Sequence, residues 1–308
     1  MGRLRVAVIG GGASCEHDVS LASAASVAAA LDPRKYDVVR MSIARDGSWG
    51  DLGLGRAVRV LQGCDVVLPV VHGPHGEDGT LAALCELARV PYVGSGVRAG
   101  ALAMDKWATK LVAQAVGVAT APGVLLTAVA APSYAWTHPV VVKPVAAGSS
   151  LGVTLVDRPE LLAPALEEAF ALGDRVLVED VVPGREVDLA VLARAGGRRI
   201  VSPALEIAVD GVFGFEEKYG GSARFIVPAA LRETERKELE DAAVAVFDAL
   251  GCAGVARVDF FVTDAGPVLN EVNTMPGFTA ESQVPKMFAA AGMSYPALLD
   301  MLVRDALG

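Results

Sequence analysis

Two carboxylates, an amide and a guanidinium recur at alternate positions in one short stretch, GVARVDFFVTDAGPVLNEVNTMPG, residues 254–277. The β-branched and aromatic runs on either side of Asp264, Ala265 and Gly266 predict a hairpin. With the turn centred on Ala265, Asp259 faces Glu271 and Arg257 faces Asn273. The two-residue period of a strand then puts all four on one face and Val258, Phe260 and Val272 on the other. Asn270 fits that apolar face poorly, and a slip of one residue would separate the ligands, so the register rests on the clustering of polar groups. Hard oxygen donors of this kind suit Mg²⁺, which uses one or two carboxylates and completes its octahedron with nucleotide phosphates and water. The plainer reading, a solvated hairpin face with an Arg–Asp pair, gives no reason for the Gly-containing loop NTMPGFT that follows.

Three further segments carry chemistry. In KPVAAGSSLGV, Lys143 ends a β-branched strand, and Gly148, Ser149, Ser150 and Gly152 form a loop able to lay N–H groups and hydroxyls over phosphate oxygens. No G-x-x-x-x-G-K-[ST] pattern occurs, so this is not a Walker A loop. Alone it is an ordinary Gly-Ser turn; paired with a Mg²⁺-type hairpin it predicts nucleotide phosphates clamped between two lobes, with Lys106 as a second cation. In GGGASCEHDVS, the glycines permit close approach of a ligand, but Cys15 stands where a dinucleotide fingerprint needs its third glycine. Glu16 would repel a pyrophosphate there and would suit an ammonium. In VVHGPHGEDGT, His72 and His75 lack a third His or Cys ligand, so an ordered loop in which Glu77 positions its neighbours is preferred to a zinc site.

The elements that must position these groups follow from composition and periodicity. A chain of 308 residues, 53% hydrophobic and 20% charged, is a globular protein too long for one core. A net charge of -9 argues against nucleic acid and anionic membrane as partners, so any anionic ligand needs a local basic site. Mean hydropathy is +0.43. No Asp, Glu, Lys or Arg occurs between Lys110 and Lys143, yet Gly117, Pro122, Gly123, Pro132 and Pro139 cut that window into pieces too short to span a bilayer. The amino terminus reads as a core strand rather than a signal peptide, and a cytoplasmic location is expected. Cys15, Cys64, Cys85 and Cys252 form no C-x-x-C pair and read as small hydrophobes.

Strands at LRVAVI, YDVVRMSI, CDVVLPVV and PYVG alternate with helices, one starting near Asp18 or Ser20 and one in GTLAALCELARV, which predicts a parallel sheet. From HPVVVKPV to RVLVEDVV, strands and one helix predict a small, mainly antiparallel sheet. REVDLAVLA, RRIVSPALEIAV, ARFIVPA and the hairpin supply further strands, with helices in RETERKELEDAAVAVFDALG and SYPALLDMLVRDAL.

Together the segments GGGASCEHDVSLAS, HGPHGEDGT, YVGSG, MDK, VVKPVAAGSSLGV, EDVVPGREV, EEKYGG, ARVDFF and NEVNTMPGFTAESQVPKM resemble, in order and over nearly the whole length, those of D-alanine-D-alanine ligases of the ATP-grasp superfamily. The resemblance implies an α/β chain with an α+β central lobe. Its units would be an N-terminal Rossmann-like parallel-sheet domain over 1–101, a central ATP-grasp lid domain over 102–182 and a C-terminal, mainly antiparallel catalytic domain over 183–308. It implies ATP and D-alanine as substrates, Mg²⁺ with Mn²⁺ as a substitute, two ions per site, and a homodimer. By the same resemblance Lys106 and Lys143 are phosphate lysines, Glu179 to Val182 is the hinge that reads adenine, and Glu186 binds the ribose. Asp259, Glu271 and Asn273 are the metal ligands, and Arg257 with the N–H of Gly277 stabilises an oxyanion. Glu16 holds an ammonium and forms a loop-closing set with Ser149 and Tyr219. Lys218 and Ser282 receive the second substrate's carboxylate, and His72 lies near the first substrate. The group that takes the amine proton stays open, and the glycines Gly211, Gly214, Gly220 and Gly221 suggest a lid.

This chain departs from the family pattern at Ala147, where an acidic or polar residue is frequent, and at Gln283, where Leu is common. The Lys218-Tyr219 form favours a dipeptide over D-alanyl-D-lactate. Rival readings are D-serine or D-lactate at the second site, a nicotinamide-dependent oxidoreductase on the first β-α unit, and a non-catalytic ATP-binding module. The oxidoreductase gives no reason for Asp259, Glu271 and Asn273 to cluster.

Overall fold

The structure is a computed structural model and describes residues 2–208 and 224–308. The chain opens with β1 (Leu4–Gly11), whose side chains are buried from Val6 to Gly11. Val6 and Val8 enter one apolar cluster and Ala7 and Ile9 another, so both faces of the strand are covered, as a parallel sheet requires. Helix α1 (His17–Ala30), β2 (Tyr36–Ile43), α2 (Gly53–Gln62), β3 (Val66–Pro69) and α3 (Thr80–Ala88) complete the first unit, with strand order β2-β1-β3, all parallel. PYVG contributes a single parallel bridge, Val67 to Tyr92, rather than the expected strand. Helix α1 begins earlier than expected: Glu16 occupies the N-cap position, and Ser20 instead accepts from the Gly11 N–H at 2.8 Å and donates to Val70 O.

Helices α4 (Val97–Met104) and α5 (Lys106–Ala115) and the short β4 (Ala119–Thr120) follow. Asp105 caps α5 by accepting from the Ala108 N–H at 2.9 Å. Ala99, Ala103, Ala113 and Val118 pack into the core of the carboxy-terminal sheet, and β4 joins that sheet beside its hairpin. A second unit is built from β5 (Gly123–Thr127), β6 (Val140–Pro144), β7 (Thr154–Val156), α6 (Leu162–Phe170) and β8 (Arg175–Asp180). Its sheet, in order β5-β8-β6-β7, is antiparallel throughout, and Ala165, Leu166 and Ala169 of α6 cover one face. The uncharged window thus resolves into the end of α5 and short strands; no helix among the described residues is long and apolar enough to cross a membrane.

The third unit comprises β9 (Arg185–Ala193), β10 (Arg199–Val201), β11 (Leu205–Ala208), β12 (Arg224–Ile226), α7 (Glu233–Leu250), β13 (Val255–Thr263), β14 (Gly266–Asn273), α8 (Gln283–Ala290) and α9 (Tyr295–Asp305). The sheet runs β12-β11-β9-β13-β14-β4, with β10 also on β9. Leu239, Val246, Phe247 and Leu250 of α7 meet Val258 and Phe260 of β13 in its core, each large apolar side chain contributing about 1.5–3 kcal/mol of transfer free energy. Phe288 of α8 and Leu298 and Leu302 of α9 pack against Val6, Val8 and Leu68 of the first sheet, locking the first and third units together.

Candidate functional site

The hairpin pairs Arg257 with Asn273 and Asp259 with Glu271, the register expected from polar clustering. Nearer the turn the pairing shifts by one residue between Asp259 and Phe260, so that Phe260 faces Leu269 and Thr263 faces Gly266. A bulge at Asn270 absorbs the difference. That explains a polar residue in an apolar run: Asn270 is turned to the site, where its Oδ1 accepts from Lys143 Nζ at 3.3 Å.

On the polar face Arg257 forms a bidentate pair with Asp259, Nε to Oδ1 and Nη2 to Oδ2, both at 2.7 Å. Asn273 Nδ2 donates to Asp259 Oδ2 at 3.1 Å, which leaves its carbonyl oxygen as a donor for a cation. Glu271 pairs with Lys106 at 3.2 Å. Burial works against ionisation of Glu271, but Lys106, Arg257 and Lys143 outweigh it and hold its carboxyl down at about 2. The carboxylate pair and amide are the hard oxygen set that Mg²⁺ shares with phosphates and water. No cluster of three or more His, Cys, Asp or Glu side chains that could hold a metal ion occurs among the described residues.

Lys106 and Lys143 converge on this face from different elements. The Lys106 N–H donates to Val145 O at 3.0 Å and its Nζ to Ala147 O at 2.8 Å, tying the start of α5 to the Gly-rich loop. Lys143 meets Glu179 Oε2 at 2.5 Å, and the other Glu179 oxygen accepts from Lys110. Lys110 also donates to Ala121 O. Burial opposes the Glu179 charge, yet the two lysines keep its carboxyl below the usual range. Sequence reading missed Lys110; its spacing one helical turn beyond Lys106 was the available signal. Val182 lies in the connection from β8 to β9, and Glu186 stands opposite Phe261 on β9.

At the other end Ser149 Oγ donates to Glu16 Oε1 at 2.7 Å, joining two loops 133 residues apart in sequence. Ser149 and Ser150 have φ of 49° and 54°, a left-handed conformation that is costly for residues with a Cβ and collects at functional sites. A Cβ on Gly148 would lie 2.7 Å from Glu16 Oε2, so a side chain there would push the carboxylate aside from the loop. Lys218, Tyr219 and the glycines proposed as a lid lie outside the described residues.

The loop after β14 completes the ring. Its Met275 carbonyl accepts from His72 Nδ1 at 2.8 Å, so the ring carries its proton on Nδ1, and burial lowers the pKa of His72. Met275 N–H donates to Glu77 Oε1 at 3.1 Å and Gly73 N–H to Glu77 Oε2 at 2.7 Å, the ordering expected of Glu77. Gly277 and Ser282 adjoin, since a Cβ on Gly277 would lie 3.3 Å from Ser282 Oγ. That hydroxyl accepts from the Thr279 N–H at 3.0 Å at the mouth of α8.

The family described as D-ala D-ala ligase C-terminus matches residues 123–304, and that described as D-ala D-ala ligase N-terminus matches residues 5–59 and 52–95. The chain belongs to the D-ala D-ala ligase family. A D-alanine--D-alanine ligase of Mycolicibacterium vanbaalenii is 40% identical, with 99% of this chain and 97% of the relative covered. One of Corynebacterium aurimucosum is 40% identical, with 99% and 98% covered. Among solved structures, the VanG D-Ala:D-Ser ligase of Enterococcus faecalis superposes with a TM-score of 0.87 at 34% identity, covering 99% of each chain. The D-alanine--D-alanine ligase of Bacillus anthracis complexed with ATP gives 0.83 at 29% identity, covering 99% of this chain and 97% of that one. The ATP-grasp fold of these D-ala D-ala ligases is the fold of this chain, and the chain is an ATP-dependent ligase.

Proposed function

We propose that the protein joins two molecules of D-alanine into D-alanyl-D-alanine, converting ATP to ADP and phosphate by way of a D-alanyl phosphate. The observation that carries this reading is the sheet face on which Arg257, Asp259, Glu271 and Asn273 meet Lys106 and Lys143, within a chain of this family. The dipeptide is a precursor for peptidoglycan, and we place the enzyme in the cytoplasm as a homodimer. Residues 1–101 would carry the first substrate, 102–182 ATP, and 183–308 the catalytic groups.

Lys106 and Lys143 would hold ATP phosphates. Both oxygens of Glu179 are engaged by lysines, so the backbone of the hinge from Glu179 to Val182 would read the adenine while the Glu179 side chain holds those lysines. Glu186 would accept from the ribose hydroxyls. Asp259, Glu271 and Asn273 would hold Mg²⁺, two ions with Mn²⁺ as a substitute. When bound, the metal offsets the negative charge of the transferring phosphoryl group. Glu16 would pair with the first D-alanine's ammonium and, with Ser149 and Tyr219, close the loop over the substrates, with His72 nearby. That substrate's carboxylate takes the γ-phosphoryl group, and the amine of the second D-alanine then attacks the acyl carbon. The oxygen that becomes negative would receive hydrogen bonds from Arg257 and the Gly277 N–H, donors that typically contribute about 10²- to 10³-fold in rate. Phosphate leaves as the amide forms and the amine loses its proton. Ser282 and Lys218 would hold the second carboxylate.

The test is an assay of ADP release and product mass with D-alanine, D-serine and D-lactate in parallel. Metal-dependent D-alanyl-D-alanine formation with D-alanine alone is expected. Its absence would overturn the assignment, and a mixed product only with D-serine or D-lactate would move the second substrate to that class.

A further inference from the structure

Asp188 has no role in the chemistry above, yet it is 1% exposed in the middle of β9, opposite Asp259 on β13 and Leu205 on β11. Residues opposite one another on antiparallel strands share a face, so Asp188 lies on the side that bears Arg257 and Asp259. Its Oδ2 accepts from Gln283 Nε2 at 3.1 Å and lies 3.7 Å from Arg257 Nε. Its Oδ1 is buried with no hydrogen-bond partner among the described residues. A carboxylate in this position, 1% exposed and beside the second buried carboxylate of Asp259, works against stability. An apolar residue would pack there at less cost, so the acid is explained by what it holds rather than by the core it occupies.

What it holds are the two ends of one substrate pocket. Arg257 is fixed from one side by the bidentate Asp259, and Asp188 is the second acid against its Nε. Gln283 is the first residue of α8, directly after Ser282 at the N-cap position. We propose that Asp188 is a positioning residue that ties Arg257 to the start of α8, setting the distance between the point where the second substrate's amine attacks and the point where its carboxylate is received. The inference rests on the roles given to Arg257 and Ser282 under the proposed function. It also gives Gln283 a reason: an amide at this position can bond to the acid, whereas a leucine cannot.

The test compares Asp188→Asn, Gln283→Leu and the double variant in steady-state ligation, with separate constants for ATP and the two D-alanine sites read from the concentration dependence of ADP release. Each single variant is expected to lower kcat/KM for the second D-alanine by about 10- to 100-fold, the range for losing a hydrogen bond to a charged group. KM for ATP and for the first D-alanine should stay within about twofold. The double variant should be no worse than Asp188→Asn by more than about twofold, since both changes break the same link. Gln283→Glu, which sets a second carboxylate against Asp188, should be worse than Gln283→Leu. Should Asp188→Asn not fold, the two Gln283 variants, at a half-buried helix start, carry the same second-site signature on their own. Additive losses, equal changes in all three constants, or no change at the second site would overturn the proposal. A wild-type protein that makes no dipeptide would instead overturn the functional reading beneath it.

Discussion

Two hydrogen bonds of equal length anchor opposite ends of the site on very different supports. Arg257 meets Asp259 at 2.7 Å on a central strand of the carboxy-terminal sheet, with both residues held in register by β9 and β14. Ser149 meets Glu16 at 2.7 Å between two loops, at an exposed position and with a left-handed serine on one side. The backbone under the first pair is held in a ladder on both sides; the second pair joins two loops. Charges that act on a transferring phosphoryl group must be fixed before the reaction, whereas a contact closing over a substrate must open to admit it. On the proposed roles, the fixed charges stand on the sheet and the releasable contact on loops.

Substitutions can break that contrast, starting at the sheet. Glu271→Gln should cost turnover at least about 10³-fold while leaving the circular dichroism spectrum near wild type, because the exchange is isosteric and removes a ligand charge, and should lower the melting temperature, because Lys106 loses its charged partner. Arg257→Lys should lower kcat by about 10²- to 10³-fold, since an ammonium cannot reproduce the two-point pairing with Asp259. Lys110→Met should destabilise by about 3 kcal/mol in urea unfolding, because it strips one of two cations from a buried Glu179, and should raise KM for ATP through Lys143.

The middle ground is Glu77, which joins a loop of the first sheet to the loop after β14. Burial raises its pKa to about 7 from the ordinary 4.5. The native state therefore binds the proton more tightly than the unfolded chain, so this stability is present below about pH 4.5 and is lost as pH rises through about 7. Relative to Glu77→Gln, which does not titrate, the wild type should lose roughly 1–3 kcal/mol between pH 4.5 and pH 8 in chemical unfolding. The smallest effect belongs to the loop pair: Ser149→Ala should change stability by less than about 1 kcal/mol and register chiefly as a higher KM for the first D-alanine. A loss of stability as large as that at Lys110 would erase the distinction between the two ends.

The same contrast governs what could be read from the sequence. Alternation along β13 and β14 gave the polar face, since side-chain direction in a strand is a local property. The bulge was not legible as such, although Asn270 in an apolar run was its trace. Asp188 escaped because its meaning depends on β9 pairing with β13, a contact between segments some seventy residues apart that no local pattern encodes. Helices α2 and α8 were missed as well: the first starts in the glycine-containing GLGR, and the second carries Pro285 in its first turn. The left-handed Ser149 and Ser150 had no signal at all, since serine does not favour that conformation by residue type and the partner of Ser149, Glu16, lies 133 residues away in sequence.

The central claim, that the sheet face of the hairpin carries metal-dependent ligation, is tested most directly by measuring D-alanyl-D-alanine and ADP from ATP and D-alanine for the wild type and Glu271→Gln, each with Mg²⁺ and after chelation. The account predicts one ADP per dipeptide for the wild type with Mg²⁺ and no dipeptide in the other three conditions, with both proteins folded. Dipeptide formed at the wild-type rate by Glu271→Gln, or by the chelated enzyme, would contradict it.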